Sequence, residues 1–189
     1  MGWWNQRLPW SSRSSSSTAW FDLAPHLGRI WSLASARESQ KSAVDSPHNC
    51  SGGRPTHFKG LCGELAVSLF TGLPMDECLY GCSGDSGHDF LHAGLRYDVK
   101  TVSYWRNPDL KEFLKPKEWS DRYILMALRD GHLVQVVGWA TGDQLRSADI
   151  VDYGHGPRHN LSHTKLYDLG QMGMPHELPF AFPSLAPTT

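Results

Sequence analysis

The sequence predicts a mixed α/β domain with one central β-sheet, and three observations carry that expectation. Gly60–Thr71 (GLCGELAVSLFT) places Leu61, Cys62, Leu65, Ala66 and Leu69 on one helical face. Arg122–Arg129 (RYILMALR) and His132–Ala140 (HLVQVVGWA) are apolar runs of strand length, joined at Asp130-Gly131, a favoured two-residue hairpin turn. Two shorter segments, His88–Ala93 and Leu95–Val102, meet at Ala93-Gly94, where Gly94 supplies the positive φ that a tight hairpin requires.

In chain order, the Ser-rich run Ser11–Thr18 has nothing to bury. Ala19–Leu33 carries Trp20, Leu23, Leu27, Ile30 and Trp31 at spacing suited to a short amphipathic helix, interrupted by Asp22, Pro25 and Arg29. His48–Pro55 reads as a linker. The helix over 60–71 is stopped by Gly72 and Pro74. A glycine-rich stretch (Gly81, Gly84, Gly87) leads into the first hairpin, and Asn107–Trp119 reads as a polar loop with one helical turn. After the second hairpin come a short helix over Gly142–Ala148 and a late strand around Asn160–Asp168. This divides the chain into an N-terminal extension (1–57), a folded domain (58–170) and a Pro-rich tail (171–189). No internal repeat is visible.

Composition narrows the function. The 189 residues carry 18 Lys+Arg against 19 Asp+Glu, a net charge of −1, with mean hydropathy −0.41. No unbroken apolar run reaches the ~18 residues of a membrane span. Four unevenly spaced cysteines do not make a disulfide framework, so a reducing, cytoplasmic setting is expected. The charge is unevenly divided. Residues 1–57 hold six Lys/Arg and three Asp/Glu, whereas 58–189 hold twelve and sixteen. An Arg/Ser-rich, acid-poor leader is also compatible in composition with organellar targeting.

The chemistry concentrates in Asp89-Phe-Leu-His-Ala-Gly-Leu-Arg-Tyr-Asp98-Val-Lys100-Thr101. A two-residue turn at Ala93-Gly94 sets Asp89 opposite Asp98, with Cβ atoms about 4.5–5.5 Å apart. Period-2 alternation puts Lys100 on the face of Asp98 and turns Tyr97 and Val99 the other way. Opposed carboxylates repel, so such a pair calls for a cation, and a hard divalent ion takes oxygen ligands.

Glu64 in the first helix, Gly87-His88-Asp89 and Asp98-Val99-Lys100 together resemble the PD-(D/E)XK nuclease superfamily. His88 stands where the name-giving proline would be, a position that varies in the family. The resemblance covers roughly residues 58–168 and implies a restriction-endonuclease-like core, a central mixed β-sheet flanked by helices, in αβββαβ order. It implies metal-dependent hydrolysis of nucleic-acid phosphodiesters by a DNA endonuclease, with one or two Mg²⁺ or Mn²⁺ ions. Asp89, Asp98 and the Val99 backbone carbonyl would be metal ligands, and Glu64 would bind a second ion or orient metal-bound water. Lys100 would position the attacking water and stabilise charge developing on the phosphate. Thr101, Ser103, Arg106, Lys115 and Lys117 are the candidate contacts to the substrate backbone. Symmetric double-strand cutting would call for a homodimer.

Other readings compete. The same fold with an idle site would bind nucleic acid or protein without cutting. Asp89 and Asp98 alone would suit a metal-free acid/base pair. Asp98 and Lys100 would be a weak ion pair on a solvated strand face if nothing covered them. Cys78 and Cys82 near His88 and His92 match closed zinc sites poorly. Arg106, Lys111, Lys115, Lys117 and Arg122 could grip phosphates just after the motif strand, but they are interleaved with Asp109, Glu112, Glu118 and Asp121, so a solvated charged loop is an equal reading.

Overall fold

The computed structural model describes residues 20–42, 54–79, 87–103, 108–116 and 118–168. Their elements run β1 (Phe21–Asp22), α1 (Leu27–Ser42), α2 (Arg54–Thr71), β2 (Phe90–His92), β3 (Leu95–Val102), β4 (Leu110–Phe113), β5 (Arg122–Arg129), β6 (Leu133–Thr141), α3 (Gly142–Arg146), β7 (Asp149–Asp152) and β8 (Pro157–Leu161). The class is mixed α/β. None of these helices is long and apolar enough to cross a membrane.

Two sheets form, where the sequence suggested one. The larger has the order β1-β6-β5-β3-β2, with β3 and β5 parallel and the other pairs antiparallel. The smaller is antiparallel, in the order β4-β8-β7. β4 lies inside the segment expected to be a polar loop. β7 was not expected at all, because Asp149-Ile-Val-Asp152 is short and charged at both ends. The expected αβββαβ order is therefore replaced, from α2 onward, by one helix, five strands, α3 and two further strands.

β5 is the central strand, with both faces covered, which explains its unbroken apolar run. Ile124, Met126 and Leu128 pack towards α1 and α2 with Leu61, Leu65, Ile30 and Leu23. Tyr123 and Leu125 pack the other way, with Leu110, Leu161 and Leu145 from the small sheet and α3. Helices thus flank the large sheet on one face, while the other is covered mainly by the second sheet. Each fully buried Leu or Ile contributes about 1.5–3 kcal/mol of transfer free energy, and both layers depend on it.

Turn chemistry follows the sequence. Ala93 and Gly94 both take positive φ (51° and 77°), and the register pairs Phe90 with Tyr97 and His92 with Leu95. Asp130 and Gly131 also take positive φ, and His132 joins them in the turn because the register pairs Arg129 with Leu133. A bulge opposite Leu125/Met126 leaves Val137 as an extra residue. It lets Trp139 share the helix-facing core with Val134 and Val136. Gly138 is needed for close approach: a Cβ there would lie 2.8 Å from Leu166 Cβ and 2.9 Å from the Tyr167 carbonyl.

The N-terminal region differs from expectation. Asp22 Oδ1 accepts the Ala24 N–H (2.8 Å) and Pro25 opens a 3₁₀ turn, so the helix starts at Leu27 instead of running from Ala19. Leu23, Ile30 and Ala34 belong to the main core, and the division at residue 57 falls inside α2. The Ser-rich run, most of the 48–55 linker, Gly81, Gly84 and the tail from 171 lie outside the described residues.

Candidate active site

β3 carries the motif, and its alternation sorts the side chains. Tyr97 and Val99 enter the core beneath α2, whereas Val102, two residues beyond Lys100, packs with Tyr123 and Leu125 on the small-sheet side. The α2–β3 contact is close enough to exclude a methyl group. A Cβ on Gly63 would overlap Thr101 Oγ1 and lie 3.2 Å from Val99 Cγ1. This places Glu64, the next residue of α2, beside β3.

The hairpin ladder stops at Phe90–Tyr97. Beyond it, Asp89 N–H donates to the Tyr97 carbonyl (2.8 Å), and Asp89 Oδ2 accepts the Val99 N–H (2.6 Å). Asp89 therefore caps the β3 backbone and does not continue as a regular cross-strand partner of Asp98. N–H and C=O of one strand residue project to the same side. The Val99 carbonyl accordingly points to the β3 edge that β2 no longer covers.

Lys100 is gripped from two sheets. Its Nζ lies 2.9 Å from Asp98 Oδ2 and 2.9 Å from Glu112 Oε2, and 5.9 Å from the centre of the Tyr123 ring. Glu112 is only 5% exposed, on the inner side of β4 next to Leu110. The solvated charged loop expected over 106–122 is corrected here: Glu112 is an enclosed carboxylate paired with the motif lysine. Sequence reasoning missed it because its burial depends on β4 pairing with β8, a contact that local pattern does not announce.

Glu64 is also buried (8% exposed), and Arg37 of α1 places a guanidinium nitrogen 3.7 Å from its Oε2. A second nitrogen of Arg37 donates to the Asp76 carbonyl (2.9 Å). Arg37 lies in the stretch assigned to the N-terminal extension, so no local signal linked it to the motif.

The electrostatics are those of crowded acids. Burial, and then the charges of Glu64 and Asp98, push the Asp89 carboxyl well above the ordinary carboxylate range; the Val99 N–H and Lys100 only partly oppose them. Burial disfavours the Lys100 ammonium, but Asp98 and Glu112 outweigh it and hold its pKa above the usual lysine value. Burial and the nearby Glu64 raise the Cys62 thiol to about 12.

Among the described residues, no three His, Cys, Asp or Glu side chains form a ready-made coordination shell. Asp98 Oδ2 faces Lys100, and Asp89 Oδ2 faces the Val99 N–H. The donor set nonetheless fits a hard divalent ion. It offers carboxylate oxygens of Asp89 and Asp98 and, among the described residues, a backbone carbonyl on the side of β3 beyond the β2 ladder, the donor type such an ion takes.

The remaining candidates sit apart. Thr101 Oγ1 is enclosed against Gly63 without a hydrogen-bond partner, so it faces α2 and not solvent. Ser103 and Lys115 are exposed, at the end of β3 and beyond β4. Arg106 and Lys117 lie outside the described residues. Cys78 is a free, exposed thiol.

No family model, curated protein or solved structure matches the chain.

Proposed function

We propose that this chain is a metal-dependent nuclease that hydrolyses nucleic-acid phosphodiester bonds, with DNA as its substrate, on a restriction-endonuclease-like core of the PD-(D/E)XK type. The observation that carries the reading is the β3 edge. Asp89 and the Val99 backbone lie where the described β2 ladder has ended, Glu64 borders Asp89 from α2, and Asp98 holds Lys100 on the same strand. Lys100 and Arg37 compensate Asp98 and Glu64, but Asp89 stays buried against both acids with only the Val99 N–H and Lys100 in partial opposition, an arrangement that a bound cation would relieve.

Asp89, Asp98 and the Val99 carbonyl would hold the ion, which supplies Lewis-acid activation of a phosphoryl oxygen and of water. Arg37 already neutralises Glu64, which favours one ion over two and leaves Glu64 to orient water. Lys100 stays protonated throughout the physiological range, so it acts as a fixed cation and hydrogen-bond donor towards the phosphate and not as a general base. In-line attack then needs a proton acceptor other than Lys100, and Glu64, the carboxylate left outside the ligand set, is the candidate.

The experiment is a substrate panel. Full-length protein is incubated with duplex, single-stranded, branched and plasmid DNA, and with RNA, in Mg²⁺, Mn²⁺ or chelator. Ion-dependent cleavage of at least one nucleic acid is the expected outcome. Activity surviving complete chelation would replace this reading with the acid/base pair. Divalent-ion binding absent by calorimetry would leave the Asp98–Lys100–Glu112 triad as a structural ion cluster in a non-catalytic module.

A further inference from the structure

Glu112 uses both of its carboxylate oxygens. Oε2 meets Lys100 Nζ at 2.9 Å, and Oε1 accepts the Phe113 N–H at 2.8 Å. An enclosed carboxylate is costly unless it is paired and hydrogen-bonded, and here the partner comes from the other sheet. Lysine has three N–H donors. Asp98 and Glu112 engage two of them on Lys100, and its Nζ lies 5.9 Å from the centre of the Tyr123 ring.

The two anchors are not equivalent. Asp98 is assigned to a divalent ion under the nuclease reading, so an ion and Lys100 compete for the same carboxylate. A lysine tethered only to Asp98 would lose its anchor as the site is loaded, and its flexible four-carbon stem would release the charge. Glu112 is outside the proposed ligand set and is already in contact with Nζ.

We infer that Glu112 is the positioning residue for Lys100: it keeps the ammonium at the reacting phosphate when Asp98 turns to a divalent cation. The inference rests on the nuclease reading, and it gives the second sheet a role in the chemistry. Glu112 acts only through Lys100.

The test uses the full chain as wild type, E112Q and E112D, with Mn²⁺ binding by calorimetry, thermal unfolding, and single-turnover cleavage of the nucleic acid that wild type cuts. E112Q keeps the shape and removes the charge. It is expected to lower kcat by about 100-fold with KM within about twofold, as for loss of one preorganised electrostatic partner. Mn²⁺ binding should weaken about tenfold, because Lys100 then stays on Asp98. E112D restores the charge and should recover much of the lost kcat. A merely structural Glu112 would lower the melting temperature and the active fraction without changing kcat of the folded protein, and that result overturns the inference. So does E112D failing to outperform E112Q while folded. Wild type that neither binds Mn²⁺ nor cleaves overturns the nuclease reading and this inference together. Wild type and E112Q that bind and cleave alike overturn the role of Glu112 alone.

Discussion

Asp89→Asn separates the energetics of the acid cluster from its chemistry. Asparagine keeps an oxygen for the Val99 N–H, which Asp89 Oδ2 accepts at 2.6 Å, and removes the charge that Glu64 and Asp98 oppose. The direction follows from linkage. Below about pH 3.9 the carboxyl is protonated in folded and unfolded chains alike and costs nothing. As pH rises, the unfolded chain ionises first, so ion-free stability falls until the raised folded-state pKa is passed and then stays at its lower level. Each pH unit by which the folded-state pKa exceeds the unfolded one is worth about 1.4 kcal/mol. In chelator, the Asn variant should therefore be more stable than wild type at pH 7.5, with the gap closing towards pH 4. Urea unfolding at a series of pH values measures it. In Mg²⁺ the order should reverse, with wild type gaining about 2–3 kcal/mol at an ion concentration near 100 times Kd and the variant gaining almost nothing. A variant less stable than wild type at every pH in chelator would refute the reasoning, because Asp89 would then act only as a backbone cap.

Gly63→Ala should destabilise the chain by about 2–4 kcal/mol by urea unfolding, since the new methyl meets Thr101 and Val99 in a packed interface, and adding Thr101→Ala should recover part of the loss. Arg37→Gln removes the cation beside Glu64; it should cost about 1 kcal/mol in chelator and tighten Mn²⁺ binding several-fold by calorimetry. Lys100→Met leaves Asp98 and Glu112 without their shared cation, and an ion-free loss of about 2 kcal/mol that divalent ions partly restore is expected in thermal unfolding. Peptide mapping after brief alkylation at pH 8 should find Cys78 labelled and Cys62 untouched until denaturant is added, because Cys62 is buried and its thiol is raised to about 12.

What the sequence made legible was local. Ala93-Gly94 encodes its own turn, Asp130-Gly131 marks the second hairpin although the turn takes His132 as a third residue, and Gly72 and Pro74 end α2 where the apolar stripe stops. The hairpin register placed Asp98 and Lys100 on one face of β3, and the structure pairs them. Long-range contacts were hidden. Glu112 reads as a solvent-facing charge until β4 pairs with β8 and turns it inward. Arg37 lies near the end of a helix that continues past Leu33, and its meeting with Glu64 depends on α1 crossing α2. Asp89 shows the limit of ladder arithmetic. The register is right through Phe90, and one residue later the side chain caps the backbone, because a hydrogen bond to Val99 N–H is worth more there than an extended ladder facing a second carboxylate.

The most direct test of the central claim compares cleavage of supercoiled plasmid by wild type, Asp98→Asn and Lys100→Met in Mg²⁺, with folding of each checked by thermal unfolding. The account predicts nicking or linearisation by wild type that chelator abolishes, and a loss of at least about 100-fold in both variants. Equal cleavage by all three proteins, or wild-type cleavage unaffected by chelator, would contradict it.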